Sequence, residues 1–143
     1  MRLSEEFSAF GGAEKRIEWA ENAAKDFYTK AGVGSAFEEV ISDMDYCREI
    51  RNQYAHCYWF GSPVDGLGFV DLEGVAKLRT SIWPISQHRL FIDLATLEQQ
   101  EAFFKYVQKC FWYLTYEYEV RVHNSRAFAW QKPENVLRPR RHN

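Results

Sequence analysis

The sequence predicts a mainly α protein, a helical bundle of long helices with a small strand-like insertion at about residues 67–93. Three segments repeat apolar residues every three or four positions, which is the spacing of one face of an α-helix. Between the second and third segments the pattern changes to short runs of β-branched and large apolar residues bounded by turn residues. Aromatic residues make up 17% of the chain, which favours a thick core or a self-association surface over disorder.

The first helix is predicted near the N-terminus, where alanines on its apolar face would allow a partner helix to approach closely. Gly11 and Gly12 weaken it locally and predict either a bend or a frayed first turn. The apolar positions are Leu3, Phe7, Phe10, Ala13, Ile17, Ala20, Ala24, Phe27 and Ala31.

The second helix is predicted from about residue 36 to about residue 60. Gly32 and Gly34 interrupt the helical pattern before it, and Ser35 with Glu38 three residues later has the spacing of a capping box. Its apolar stripe consists of Phe37, Val40, Ile41, Met44, Cys47 and Tyr54.

A turn-rich stretch, "GSPVDGLG", opens the insertion and is followed by the short runs "LGFVDLE", "AKLRTSIW" and "HRLFID". These runs favour two or three short strands in a hairpin-like arrangement, with an irregular loop as the alternative. Thr96 and Gln99 then have capping-box spacing and predict a long third helix to about Arg121. Its apolar face consists of Leu97, Phe104, Val107, Phe111, Leu114 and Tyr118, widened by Phe103, Trp112, Tyr113 and Tyr116.

The chain of 143 residues is long enough to bury a core without disulfides or a metal, and we expect one domain over residues 1–130. A basic C-terminal tail over residues 131–143, "QKPENVLRPRRHN", lacks helical periodicity and contains two prolines. It is expected to be a mobile tail or a short arm. Its Arg138, Arg140 and Arg141 either add phosphate contacts or only keep the terminus soluble.

Several classes of protein are excluded by composition and motif. A net charge of −2 argues against a protein that coats nucleic acid non-specifically. Three cysteines without a CxxC pair suggest neither a disulfide framework nor a zinc site, so we expect no metal and no cofactor. No signal-peptide pattern is present, and no window approaches the about 20 apolar residues of a membrane span. We therefore expect a cytoplasmic protein without a membrane partner.

Polar residues cluster in the stretch "REIRNQYAHCYWF", inside the predicted second helix. Since helical residues turn by about 100° each, Arg48, Asn52, His56 and Trp59 would share one sector of the helix, with Arg51 at its edge. An arginine can hold a phosphate or stabilise its developing charge, and a histidine can move a proton near neutral pH. In RNA the ribose 2′-hydroxyl supplies an internal nucleophile, so this sector suits phosphodiester cleavage in which a metal is not obligatory.

The string Arg51-Asn52-Gln53-Tyr54-Ala55-His56 resembles the signature of the HEPN (higher eukaryotes and prokaryotes nucleotide-binding) domains. That signature is an arginine, a polar residue that is often asparagine, and a histidine a few residues further on, near the end of a helix. The resemblance implies a helical bundle and homodimerisation that joins two motifs into one composite cleft. It also implies metal-independent RNA cleavage, as in many members that are toxins or phage-defence effectors.

The resemblance leaves two functions open. In the first, the chain is an endoribonuclease in which Arg51, His56 and Asn52 are catalytic, Arg48 assists, and Trp59 and Tyr58 stack on bases. In the second, it is a non-catalytic dimeric module that binds a nucleotide, RNA or a partner protein such as an antitoxin.

Each candidate residue also has a purely structural interpretation. Arg51 and His56 could form a buried hydrogen-bonded pair with Asp45 or Glu49. Arg48 could be a solvated partner of Asp45, Glu49 or Asn52, and Trp59 and Tyr58 could pack at a dimer interface. Cys57 adjoins His56, but helical neighbours point about 100° apart, which argues against a thiol–imidazole pair.

Overall fold

A computed structural model of the chain describes residues 13–62, 66–72, 76, 89–124 and 130–141. These residues form a mainly α structure with a small sheet, as the periodicity predicts. The elements, in chain order, are α1 (Ala13–Lys30), α2 (Gly34–Ala55), β1 (Cys57–Ser62), β2 (Gly66–Asp71), β3 (Leu90–Ile92) and α3 (Leu94–His123). The predicted features at Leu3, Phe7, Phe10 and Gly11–Gly12 lie outside the described residues.

Helix α2 ends at Ala55, and the prediction that it continues to about residue 60 is wrong. His56 lies in a turn, and Cys57–Ser62 forms the first strand of the sheet. The aromatic run Tyr58-Trp59-Phe60 fits the helical step of α2, but aromatic residues also have high β-propensity. Pairing with the next strand decides between the two conformations.

The sheet has the strand order β1-β2-β3, with both pairs antiparallel. Trp59 faces Phe69 across β1 and β2, and Gly68 stands between Phe60 of β1 and Phe91 of β3. The predicted insertion at about 67–93 therefore contains strands, β2 and β3, and the sheet also recruits β1 from before it. Most of the segment between β2 and β3 lies outside the described residues.

Both long helices begin at a residue other than the predicted cap. Helix α2 starts at Gly34, so Ser35 lies within its first turn, and Glu38 pairs with Lys25 of α1 at 2.7 Å. Helix α3 is capped by Asp93, whose Oδ1 accepts a hydrogen bond from the Thr96 backbone N–H at 2.7 Å. Helix α2 starts two residues before its predicted position, and α3 starts three residues before the position that follows a Thr96 cap.

The described residues divide into two compact units. Unit 1 consists of residues 13–43, 109–124 and 130–133, and unit 2 of residues 44–62, 66–72, 76, 89–108 and 134–141. Helices α2 and α3 each contribute one part to both units. The expected division into a domain over 1–130 and a tail over 131–143 stays a prediction, because two compact units can belong to one domain.

The core of unit 1 is apolar. Its buried side chains are Val33, Phe37, Val40 and Leu114, with small residues of α1 and α2 packed against them. The Tyr28 ring stacks on Phe37 at 4.8 Å and contacts Tyr118 at 5.1 Å. The predicted alanine-rich face of α1 contributes to this core through Ala24.

The turn between α1 and α2 is held by an arginine from α3. Gly32 has a φ of 76°, the left-handed conformation that glycine adopts most readily. The Arg121 Nη1 donates to the carbonyl oxygens of Ala31 and Gly32, at 3.4 and 3.2 Å. Its Nε donates to Glu117 Oε2 at 3.3 Å.

The core of unit 2 is aromatic. Tyr54 of α2, Trp59 of β1 and Phe69 of β2 form a cluster in which the ring centroids lie 5.2 to 5.4 Å apart. Phe103 of α3 is fully buried and meets the ring of Tyr46 edge-on at 5.8 Å. The remaining buried apolar side chains are Ile50, Val70, Ile92 and Val107.

The buried stripe of α3 agrees with the predicted one at Val107 and Leu114 and differs from it at the two adjacent phenylalanines. Phe103, predicted only to widen the apolar face, is 0% exposed, whereas Phe104, predicted as a member of the stripe, is 36% exposed. Gln100, Val107 and Leu114 are buried at the same three- and four-residue steps from Phe103. Two adjacent phenylalanines cannot be ranked by periodicity alone, since both fit one helical repeat.

No helix among the described residues has the length and apolar character that crossing a membrane requires.

Candidate functional site

The predicted catalytic residues lie at the end of α2. Arg51 and Asn52 belong to its last turn, and His56 occupies the turn that follows. All three are exposed, and the Arg51 Nη1 donates to the Asn52 Oδ1 at 3.1 Å. Among the described residues, no carboxylate pairs with Arg51, and no group bonds to the His56 imidazole. Both side chains therefore present donors to solvent.

The end of α2 is fixed by bonds to its neighbours. The His56 carbonyl oxygen accepts a hydrogen bond from the Leu72 N–H at 3.3 Å, which ties the turn to the end of β2. The Cys57 Sγ donates to the Gln53 carbonyl oxygen at 2.6 Å. That carbonyl is one of the last four of the helix, which have no partner within it. The motif is thus held on an anchored helix end.

The environment of Cys57 favours the thiol over the thiolate. Its thiol bonds to the Gln53 carbonyl, and burial, followed by the charge of Asp71, raises its pKa. A raised pKa keeps the group a thiol, whereas the thiolate is the reactive form. The turn of about 100° between helical neighbours does not apply to Cys57 and His56, because His56 lies in a turn and Cys57 on β1.

The alternative of a buried Arg51–His56 pair is wrong, because both residues are exposed. The carboxylates that could have satisfied them have other partners. Asp45 pairs with Arg48 at 3.0 Å, and Glu49 pairs with Arg141. Arg48 is therefore a member of a solvated surface ion pair on the helix that carries the motif, as its structural interpretation predicts.

Trp59 does not share a helical sector with Arg48, Asn52 and His56, because it lies on β1 and the 100° geometry of a helix does not apply to it. Successive residues of a strand point to opposite faces. The Trp59 ring packs against Tyr54 and Phe69 in the core, and Tyr58 is 63% exposed. Of the two predicted base-stacking residues, only Tyr58 has a ring that is largely exposed to solvent.

A buried glutamine connects the motif helix with the C-terminal segment. Gln100 is 3% exposed and is the one polar side chain in the buried set of the described residues. Its Oε1 accepts from the Tyr54 hydroxyl at 2.9 Å, and its Nε2 donates to the Arg140 carbonyl oxygen at 3.1 Å. Burial raises the pKa of Tyr54, so its hydroxyl remains protonated at neutral pH. Sequence reasoning missed Gln100, although a glutamine three residues before Phe103 on an apolar stripe signals it.

Residues 134–141, the C-terminal arm, lie along unit 2, which agrees with an arm and not with a mobile tail. The Tyr46 hydroxyl donates to the Pro139 carbonyl oxygen at 2.5 Å, and Pro139 is buried. Arg138 and Arg141 place their guanidinium carbons 5.0 and 4.7 Å from the centre of the Tyr46 ring. Tyr106 donates to the Asn135 side-chain oxygen at 3.2 Å. Sequence analysis did not identify Tyr46 as the anchor of the arm.

Within the described part of the chain, no three His, Cys, Asp or Glu side chains are grouped so that they could hold a metal ion. His123 lies at the end of α3, 3.8 Å from Glu119. His88 and His142 lie outside the described residues.

Comparisons of the chain with protein-family models, with curated proteins and with solved structures found no match.

Proposed function

We propose that the chain is a cytoplasmic, HEPN-like endoribonuclease that cleaves RNA without a metal ion and acts as a homodimer. A composite cleft would combine the Arg51–His56 motifs of two chains. The proposal is supported chiefly by the exposure of the Arg51 and His56 side chains and by their lack of a carboxylate partner among the described residues. A cation and an imidazole, both without a carboxylate partner among the described residues, stand at an anchored helix end and face solvent.

The proposed reaction uses the 2′-hydroxyl of the RNA as nucleophile. His56 removes its proton as general base, and the 2′-oxygen attacks the adjacent phosphorus. The bond from phosphorus to the 5′-oxygen breaks, and an acid, the second His56 of the dimer, protonates the leaving oxygen. The products are a 2′,3′-cyclic phosphate and a free 5′-hydroxyl. The atoms balance without water or a metal.

Arg51 would bind the scissile phosphate and stabilise the negative charge that develops on its oxygens. Asn52 already accepts a hydrogen bond from Arg51, so it would orient the guanidinium and position the substrate. Arg48 would assist from the preceding turn, where Asp45 partly neutralises it. Tyr58, with its exposed ring, would stack on a base next to the cleaved bond.

Association of two chains is supported by apolar side chains exposed on unit 1. Contiguous exposed apolar patches are typical of surfaces that contact other proteins, and Trp112 and Trp130 of this unit stack on each other with their ring centroids 6.4 Å apart. The exposed set of unit 1 consists of Ile17, Phe27, Phe111, Trp112, Val122 and Trp130. The proposed cleft requires two chains, so a monomer at micromolar concentration in analytical ultracentrifugation would contradict the composite site.

The test is cleavage of a single-stranded RNA in excess chelator. His56→Ala is expected to lower the cleavage rate by about 10²- to 10⁴-fold, the usual contribution of a positioned acid–base group, and Arg51→Ala by about 10²- to 10³-fold, the usual effect of losing one group that stabilises developing charge. Both residues are exposed, so the thermal unfolding midpoint should stay unchanged. His123→Ala is the matched control, because it removes another exposed histidine, in unit 1.

Three results would overturn the proposal. Wild-type protein could leave the RNA intact, the chelator could stop the cleavage, or folded His56→Ala protein could cut as fast as His123→Ala. Products that end in a 2′,3′-cyclic phosphate would support the internal nucleophile. A linear 3′-phosphate as the first product would contradict it.

A second candidate is a non-catalytic HEPN-like module that dimerises and binds a nucleotide, RNA or a partner protein. The exposed apolar side chains of unit 1 support it equally well, since they need no catalysis. As a toxin or defence effector, the first candidate would arrest growth when expressed without a neutralising antitoxin. Relief of that arrest by His56→Ala would favour the endoribonuclease, and arrest unaffected by His56→Ala would favour the binding module.

A further inference from the structure

The C-terminal arm is docked in part through its backbone, which leaves the charge of Arg140 available. The bonds from Tyr46 and Gln100 both end on backbone carbonyl oxygens, those of Pro139 and Arg140. Arg140 itself is exposed, and no carboxylate among the described residues pairs with it. The contacts that fix the arm therefore do not consume the guanidinium of Arg140.

The arm reaches the helix that carries the catalytic motif. Arg141 pairs with Glu49 of α2, and Glu49 precedes Asn52 by three residues. Residues three apart on a helix are surface neighbours, with about 5 to 6 Å between their Cβ atoms. Arg141 is therefore held about one helical turn from Asn52 and its partner Arg51.

The position of the arm is built into the core of unit 2. Gln100 links the Arg140 carbonyl to the Tyr54 hydroxyl, and Tyr54 is two residues before His56. The Tyr46 ring contacts both Arg138 and Arg141 and packs edge-on against the buried Phe103. A solubilising terminus needs none of these contacts, because charge alone serves that purpose.

We propose that the C-terminal arm is part of the RNA-binding surface, and that Arg140 and Arg141 bind backbone phosphates beside the scissile one. This inference rests on the proposed function, because it takes the ligand to be RNA. The arginines favour a polyanion, since Arg51 and Arg140 are exposed without a carboxylate partner among the described residues and Arg141 is held about one helical turn from Asn52. A phosphate that approaches Arg141 would compete with Glu49 for its guanidinium. The contact between Arg141 and a phosphate is therefore expected to be weak.

The test measures how salt weakens binding of a short single-stranded RNA carrying 2′-O-methyl groups, which cannot supply the nucleophile. Each phosphate contact to a single strand contributes about 0.7 to the slope of log affinity against log salt. Arg140→Gln should lower that slope by about 0.7 and should keep the arm docked, because its docking bond uses the backbone. Arg141→Gln, made together with Glu49→Gln so that no carboxylate is left unpaired, should have a similar or smaller effect.

Lys105→Gln is the matched control. The substitution removes one exposed positive charge of unit 2, which pairs with Glu101. Lys105 is two residues after the buried Phe103 and therefore lies on the opposite side of α3. A slope for Arg140→Gln equal to that of Lys105→Gln would overturn the role of the arm. Undetectable binding of the methylated RNA at low salt would overturn it as well.

The two proposals fail separately. If Arg140→Gln lowers the slope but wild-type protein does not cleave unmodified RNA in chelator, the arm inference stands and the nuclease proposal falls. If cleavage depends on Arg51 and His56 while Arg140→Gln keeps the wild-type slope, the nuclease proposal stands and the arm inference falls.

Discussion

The two compact units differ in whether their connecting polar side chains are buried or exposed. Unit 1 buries an apolar core and keeps Arg121, its main connecting cation, at the exposed edge of a turn. Unit 2 buries Gln100 with partners on two other segments, and it surrounds the motif with strand pairing, a thiol–carbonyl bond and the docked arm.

This difference concerns the energetic cost of buried polar groups. A buried polar group contributes little net stability when satisfied and is expensive when left without a partner. An apolar side chain at position 100 would avoid that risk, so the glutamine is explained better by what it positions. Under the proposed function, unit 2 would also need a defined geometry at the end of α2.

The largest expected losses of stability come from substitutions in the two buried cores. Phe103→Ala in unit 2 should destabilise the protein by about 3–5 kcal/mol, and Leu114→Ala in unit 1 by about 2–5 kcal/mol, because each leaves a cavity. Urea denaturation measures both. Phe104→Ala is the control and should cost about 1 kcal/mol or less, since Phe104 is partly exposed. A cost for Phe104→Ala as large as that for Phe103→Ala would contradict the buried stripe of α3.

A smaller loss of stability is expected from a substitution in the sheet of unit 2. Unit 1 has no sheet among the described residues. A Cβ on Gly68 would overlap the Phe60 ring on one neighbouring strand and crowd Phe91 on the other. Gly68→Ala should therefore destabilise unit 2 by about 1–3 kcal/mol, as overpacking does. Gly61→Ala in β1 is the control, because nothing lies within 4 Å of an added Cβ there. Thermal unfolding that shows equal losses for both variants would refute the aromatic contacts across the sheet.

An effect no larger than that of Gly68→Ala is expected from loss of the hydrogen bonds of Gln100. Gln100→Leu removes the partners of the Tyr54 hydroxyl and the Arg140 carbonyl and should cost about 1–3 kcal/mol. Tyr54→Phe breaks one of the two bonds and should cost about 1 kcal/mol. Hydrogen exchange or limited proteolysis of residues 134–141 should show release of the arm in Gln100→Leu and retention in Tyr54→Phe. Equal protection of the arm in both variants would mean that Gln100 does not hold it.

Local patterns in the sequence predict the helices well and the sheet only in part. Helical periodicity depends on residues three and four apart, so three helices are found where three were predicted, although the predicted start of α1 lies outside the described residues and α2 ends earlier than predicted. The end of α2 is decided by a distant partner, since Cys57–Ser62 becomes a strand only by pairing with Gly66–Asp71. The choice between Phe103 and Phe104 is likewise decided by packing that periodicity does not contain.

In the candidate site, too, local features could be predicted from the sequence and contacts between distant residues could not. The residue types of Arg51, Asn52 and His56 are visible in the sequence, and their exposure at a helix end suits the proposed role. Trp59 was predicted on the wrong element because the helix was extended past its end. The contacts of the arm join residues 93 apart, as from Tyr46 to Pro139, and no local pattern could have located them.

The Arg121 bridge has a consequence for the order of folding. Its guanidinium reaches the Gly32 carbonyl across 89 residues of sequence, whereas the bonds within that turn, such as Val33 N–H to the Tyr28 carbonyl oxygen, are local. Contacts between distant residues form late, because the chain must first close a long loop. We therefore expect the reversal between α1 and α2 to begin as a fluctuating local structure, which becomes rigid only when the last turns of α3 arrive.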